Sequence, residues 1–229
     1  MRFLAHALLV TLVLTGCAGT GPKQPLEEYL AAHQLPDDAP VIVIDLDDTI
    51  FRRDASRPMR GAPAALLDLA RDHLIVYLTA RPTHAKVPGV THNRRDSEKF
   101  LRKHGFPDGP LFTSSLREWI THGEGGGKRL SFQRLREYGV SRVALAVGDR
   151  PHDLDVYLHN GHVEVVRAVI ILIEESEVDP DREELPPEVL EHVLPGSGDA
   201  WPRLLAAYRE GTLPSGGTRV IAQGVPPGS

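Results

Sequence analysis

Two aspartates one residue apart, Asp45 and Asp47, follow four consecutive β-branched apolar residues, Val41-Ile42-Val43-Ile44. Such a run suits a strand covered on both faces, as in a parallel sheet. Bare carboxylates cannot remain in that core, so they emerge at its carboxyl edge, where open α/β sheets bind ligands. Carboxylates crowded there repel one another unless one is protonated or a cation lies among them. D-x-D-x-T at Asp45–Thr49 therefore predicts a magnesium (Mg2+) site containing a nucleophile, although an acidic turn capping the next helix reads the same. A second acidic pair, Asp149 and Asp153, leaves another apolar run, Val143–Val147, and its spacing lets both approach the same cation as Asp45. Between the pairs stand Leu78-Thr79-Ala80-Arg81, again at a strand end, and Lys128 after three glycines. A hydroxyl and free backbone N–H groups at a strand end can hold phosphate oxygens, and Arg81 adds a planar fork. Lys128 can neutralise charge developing on a transferring phosphoryl group.

The elements that must carry these residues alternate strand and helix, the pattern of βαβ units. Strands are expected at 41–44, 74–78, 111–112, 143–147 and 163–173. Helices are expected at 63–73, with Leu66, Leu67, Leu69 and Ala70 inward, and near 96–103 and 128–137. Trp201, Leu204, Leu205 and Tyr208 form a helical stripe spaced for packing. The fold expectation is α/β, a three-layer Rossmannoid with a central, mostly parallel sheet. Only some thirty residues separate Thr49 from Thr79, and ordinary crossovers fill the span to Lys128, which leaves no large cap domain.

The order D-x-D-x-T, Thr, Lys, G-D-x-x-x-D resembles the haloacid dehalogenase superfamily over residues 41–170. The resemblance implies that Asp45 attacks the phosphoryl group to form an aspartyl-phosphate. Asp47 would protonate the leaving group and then activate water, the acid favouring a phosphatase over a dehalogenase. It also implies that Thr79, Ala80, Arg81 and Lys128 grip phosphate. Magnesium would be held by Asp45, the Asp47 carbonyl and Asp149, with Asp153 direct or through water. Tyr77-Leu78-Thr79-Ala80-Arg81-Pro82, Phe106-Pro107-Asp108-Gly109-Pro110-Leu111 and Gly148-Asp149-Arg150 resemble lipin-type phosphatidate phosphatases, which carry Asn in place of Asp149. The Asp45–Ile50 string is similar to actin-patch phosphatidate phosphatases. The substrate expectation is thus a lipid phosphate, with nucleotides and other small phosphomonoesters as the alternative, as in secreted acid phosphatases. A catalytically silent envelope lipoprotein is the non-enzyme alternative.

The first residues read differently. Arg2 and the apolar stretch 3–14, too short to span a bilayer, lead into Leu14-Thr15-Gly16-Cys17, which resembles the lipobox of bacterial lipoproteins. That resemblance implies a signal peptide over 1–16, acylation of Cys17 and an extracytoplasmic, membrane-anchored protein, with Ala18 favouring the outer membrane where there are two. Cys17 is the chain's one cysteine, so no disulfide supports the fold. A tether with a short helix is expected over 17–39, the phosphatase domain over 40–175, and a helical or irregular extension over 176–229. Among 229 residues, 26 basic against 31 acidic ones give a net charge of −5, so no basic excess points to nucleic acid and none is expected as a partner.

Overall fold

The structure, a computed structural model, describes residues 20–52, 57–84, 92–172, 193–194, 200–213 and 219–223. Its frame is a parallel sheet in the order β3-β2-β1-β5-β7-β9-β8. These strands are β1 (Val41–Ile44), β2 (Leu74–Pro82), β3 (Leu111–Ser114), β5 (Leu145–Gly148), β7 (Ala168–Leu172), β8 (Val193–Leu194) and β9 (Arg219–Gln223). β1 lies between β2 and β5, pairing Ile44 with Tyr77 on one side and with Val147 on the other. All four of its side chains are buried, which explains the unbroken apolar run.

Alternation along the strands feeds two cores. Val41 and Val43 point into one, with Val76, Leu78, Phe132, Leu135 and Tyr157; Ile42 and Ile44 point into the other, with Leu66, Leu69, Phe100 and Trp201. The first core is closed by helices α1 (Leu26–Ala32), α4 (Leu116–Glu137) and α5 (Pro151–Leu158). The second is closed by α2 (Ala62–Leu69), α3 (Arg94–Lys103) and α6 (Ala200–Arg209). The result is the expected three-layer Rossmannoid, and no cap domain stands among the described residues.

Several local readings shift. β2 runs on through Thr79 to Pro82, longer than its apolar pattern suggested. The apolar stretch 143–147 divides into β4 (Arg142–Val143) and β5, and 163–173 into β6 (Glu164–Val165) and β7; β4 and β6 make a separate two-stranded ladder. Leu67, expected inward on α2, is 50% exposed, since it lies about 100° round the helix from Leu66. Helix α4 begins twelve residues before Lys128 and contains the whole glycine cluster, with a break at Gly123 (φ 64°, ψ −169°).

Residues outside 40–175 also pack on the frame. Tyr29 and Leu30 of α1 enter the first core. Trp201 and Leu204 of α6 enter the second, with Leu205 and Tyr208 packed against it, so the stripe does serve packing. β9 pairs with β7 along Ala168↔Arg219 to Leu172↔Gln223. The lipobox with Cys17 lies outside the described residues, and no helix among those described is long and apolar enough to cross a membrane.

Candidate active site

The site is assembled where β1, β2 and β5 end. The Asp45 N–H donates to the Val147 carbonyl at 2.9 Å, continuing the β1–β5 ladder, so the sheet itself fixes the first aspartate. Beyond it the chain turns sharply: the Leu46 carbonyl accepts from the N–H groups of Ile50 (3.1 Å) and Phe51 (3.3 Å). Asp48 takes a left-handed conformation (φ 55°), one that Asp tolerates better than most residues. The turn brings the Thr49 hydroxyl to Asp45 Oδ2, to which it donates at 3.3 Å. From the far end of the chain, the Trp201 indole N–H donates to the Thr49 carbonyl at 2.9 Å and pins the turn from outside.

Asp149 and Asp153 come from the β5–α5 junction. Asp153 is the third residue of α5, and its Oδ2 accepts from the N–H groups of Asp149 and Arg150, both at 3.2 Å. This satisfies the helix start and aims Oδ1 inward. Gly148 is required there, because a Cβ on it would lie 2.5 Å from Asp153 Oδ2. Carboxylate oxygens of Asp45, Asp149 and Asp153 thus lie within 4.8 Å of one another, all three residues being buried.

Lys128 enters from α4. Its Nζ is 2.6 Å from Asp153 Oδ1 and 3.1 Å from Asp45 Oδ1, and the residue is 4% exposed. Burial opposes its charge, but the Asp153 and Asp45 carboxylates outweigh that and hold its pKa well above the usual lysine range. One ammonium cannot balance three carboxylates. At 4.8 Å each remaining like-charge pair costs about 3–4 kcal/mol at an effective dielectric of about 20. Burial, with Asp153 and Asp47 adding to it against Lys128, accordingly pushes Asp45 up to about 7, and burial with Asp153 and Asp45 raises Asp149 well above the carboxylate range. An all-oxygen, electron-rich cluster with a charge deficit fits a hard divalent cation such as magnesium.

The second aspartate has a separate environment. Arg81 Nε donates to Asp47 Oδ2 at 2.8 Å and Nη2 to Oδ1, a bidentate clamp. Arg81 Nη1 donates to the Ser97 hydroxyl at 2.9 Å, and the guanidinium lies 4.6 Å from the centroid of the Phe51 ring. Arg81, whose fork was expected to bind phosphate, is paired here with Asp47. Asp47 does not add its carboxylate to the group formed by Asp45, Asp149 and Asp153, and only its backbone carbonyl remains for the ligand role expected of it. Thr79, expected just past the strand, lies within β2 three residues before its end and is 1% exposed, its Oγ1 accepting from the Arg81 N–H at 3.2 Å, and Ala80 is buried beside it.

His152, half-buried on α5, has Nε2 3.4 Å from Asp153 Oδ1. Ser97, Phe51 and Trp201 escaped sequence reasoning as site residues. Only the Trp201 stripe left a signal, and it pointed to packing. Comparison with known proteins yields no matching family model and no matching curated protein.

Proposed function

We propose that this chain is a magnesium-dependent phosphomonoester hydrolase of the haloacid dehalogenase type, working through an aspartyl-phosphate on Asp45. The observation that carries the reading is the junction of Asp45, from one strand end, with Asp149 and Asp153, from another, around Lys128. Asp45, Asp149 and Asp153 would hold the metal, with the Asp47 carbonyl; when bound, it offsets anion–anion repulsion and polarises the phosphoryl oxygens.

In the first half-reaction Asp47, released from Arg81 as substrate binds and protonated from solvent, gives that proton to the departing oxygen while an Asp45 carboxylate oxygen bonds to phosphorus and the phosphorus–alkoxide bond breaks. In the second, Asp47 takes a proton from water, whose oxygen bonds to phosphorus as the bond to Asp45 breaks, releasing inorganic phosphate. Splitting one displacement into two is the gain of covalent catalysis. Lys128 fixes the attacking carboxylate and compensates charge on the transferring group. Arg81 keeps the Asp47 carboxylate at the mouth until substrate arrives. Thr79, with the backbone around Ala80, offers donors to the phosphate oxygens.

The substrate reading is a lipid phosphate such as phosphatidate, at an extracytoplasmic membrane to which acylated Cys17 holds the chain. The lack of a cap among the described residues and the lipobox-like N-terminus support it. Tethering raises the effective concentration of a membrane substrate. Phosphate release should be measured from phosphatidate in micelles, from nucleotides and from small phosphomonoesters, with magnesium and with EDTA, for wild type and Asp45→Asn. Metal-dependent release lost in the variant is expected, fastest with phosphatidate. Faster nucleotide hydrolysis would replace the lipid reading with the acid-phosphatase alternative, and no release from any substrate would leave the silent lipoprotein.

A further inference from the structure

The first half of α4 is amphipathic on its outer side. Leu116 is 40% and Ile120 69% exposed, one turn apart, with Trp119 half-buried beside them. Leu67 on α2 is the one other large hydrophobic among the described residues that is comparably exposed. The opposite side of this helix is fixed to the fold: Glu118 accepts from Arg134 Nη1 at 2.7 Å and shares a capping box with Ser115. The apolar face is therefore rigidly presented. It also stands beside the site, because the helix leaves the carboxyl end of β3 at Ser114 and leads through Gly123–Gly127 to Lys128. A Cβ on Gly127 would lie 2.5 Å from Ser114 Oγ, so the two ends of the excursion nearly touch.

What covers this face is indicated by where the chain enters the fold. The Thr20 carbonyl accepts from the Thr113 N–H at 2.9 Å, and Thr20 is 6% exposed. Thr113 is three residues before Leu116, and Cys17 is three residues before Thr20. Three residue steps span at most about 11 Å. An acyl anchor on Cys17 would bring this corner of the protein to the bilayer.

We propose that the Leu116–Trp119–Ile120 face is a membrane seat, resting in the headgroup–acyl boundary of a lipid bilayer and setting the catalytic edge of the sheet toward lipid phosphates. The proposal rests on the lipid-anchor part of the reading above. A partly buried tryptophan flanked by exposed aliphatic side chains suits that boundary, where one end of the ring meets lipid and the other water.

The test uses the full chain with its N-terminus intact, reconstituted on phosphatidylcholine–phosphatidylglycerol vesicles. Trp119 reports the face, since Trp201, the one other tryptophan, is 1% exposed in the core. Trp119 emission should be quenched by lipids brominated on the acyl chain. Ile120→Asp should lower the ratio of seated to unseated chains, read from that quenching, about tenfold, the effect of keeping one large aliphatic residue out of lipid. Leu116→Ser should lower it in the same direction, and circular dichroism should be unchanged for both exposed positions. Absence of quenching in the wild type would overturn the proposal. So would a Trp119 shift that follows protein concentration without lipid, which would assign the face to a second copy of the chain. Asp45→Asn should be quenched like wild type. An inactive wild-type chain with quenched Trp119 would sink the hydrolase and spare the seat; an active wild-type chain with unquenched Trp119 would do the reverse.

Discussion

Replacing Lys128 by Met isolates the electrostatics on which the site depends. Methionine keeps most of the volume of the lysine stem, so packing changes little. The charge change is large: the ammonium 2.6 Å from Asp153 and 3.1 Å from Asp45 disappears, leaving three buried carboxylates within 4.8 Å of one another. Removing one partner of a buried ion pair typically costs about 3–5 kcal/mol, because the remaining charge is uncompensated. With an m-value of about 2–3 kcal/mol/M, that moves the urea midpoint down by about 1–2.5 M. Unfolding should be followed by circular dichroism at about pH 8, above the value of about 7 to which Asp45 is raised with Lys128 beside it, once in EDTA and once in saturating magnesium. A ligand at 100 times its Kd stabilises by about 2.7 kcal/mol, and K128M should gain more from magnesium than wild type does, since more negative charge awaits compensation. Its phosphatase activity should fall at least about a hundredfold. The reasoning is refuted if K128M in EDTA unfolds within about 1 kcal/mol of wild type, or if magnesium stabilises neither protein.

Other perturbations follow from single contacts. Gly148→Ala places a methyl 2.5 Å from Asp153 Oδ2, so the magnesium concentration giving half-maximal activity should rise about tenfold or more, as seen in a metal titration of rate. Arg81→Lys keeps the charge but loses the fork on Asp47; kcat should drop about tenfold to a hundredfold with KM little changed, and an equal rate would remove Arg81 from the positioning of Asp47. Trp201→Phe keeps most of the buried ring but leaves the Thr49 carbonyl unbonded, at a cost of about 1–3 kcal/mol read from denaturation midpoints. Arg209 holds the Asp72 carboxyl down to about 2 by hydrogen bonding, against an ordinary 3.8. A depressed carboxyl stabilises the fold above its ordinary pKa and loses that contribution as pH falls through about 2. Because the pair is exposed, it is worth less than about 1 kcal/mol. NMR titration of Asp72 in Arg209→Ala should return its midpoint toward the ordinary value.

The central frame was readable in the residues because its signals are local. Four β-branched residues followed by D-x-D-x-T declare a buried strand and the edge it ends on, and Asp45 sits there. Gly148 and the i,i+4 pair Asp149 and Asp153 declare the β5–α5 junction in the same way. The first half of α4 was not readable: four glycines in five residues, Gly123 to Gly127, have the composition of a break. The break does fall at Gly123, but Gly125 to Gly127 continue in the helix, where the close approach of Gly127 to Ser114 leaves no room for a Cβ.

Pairings across the chain lay beyond any spacing rule. Arg81 looked like a ligand for phosphate, yet it is 34 residues from Asp47, and only the meeting of the β1 and β2 ends makes the carboxylate its partner. Lys128 could be read only as one more lysine able to serve a phosphoryl group until α4 placed its ammonium between Asp45, past the end of β1, and Asp153, in the first turn of α5. Trp201 reaches Thr49 across 152 residues, folding a helix that read as an extension onto the turn that shapes the first motif. Side-chain type and local pattern set which groups stand at a strand's end, because both act within a few residues. Which opposite charges meet there depends on sheet order and crossover helices, whose free energy is shared among residues from the whole chain.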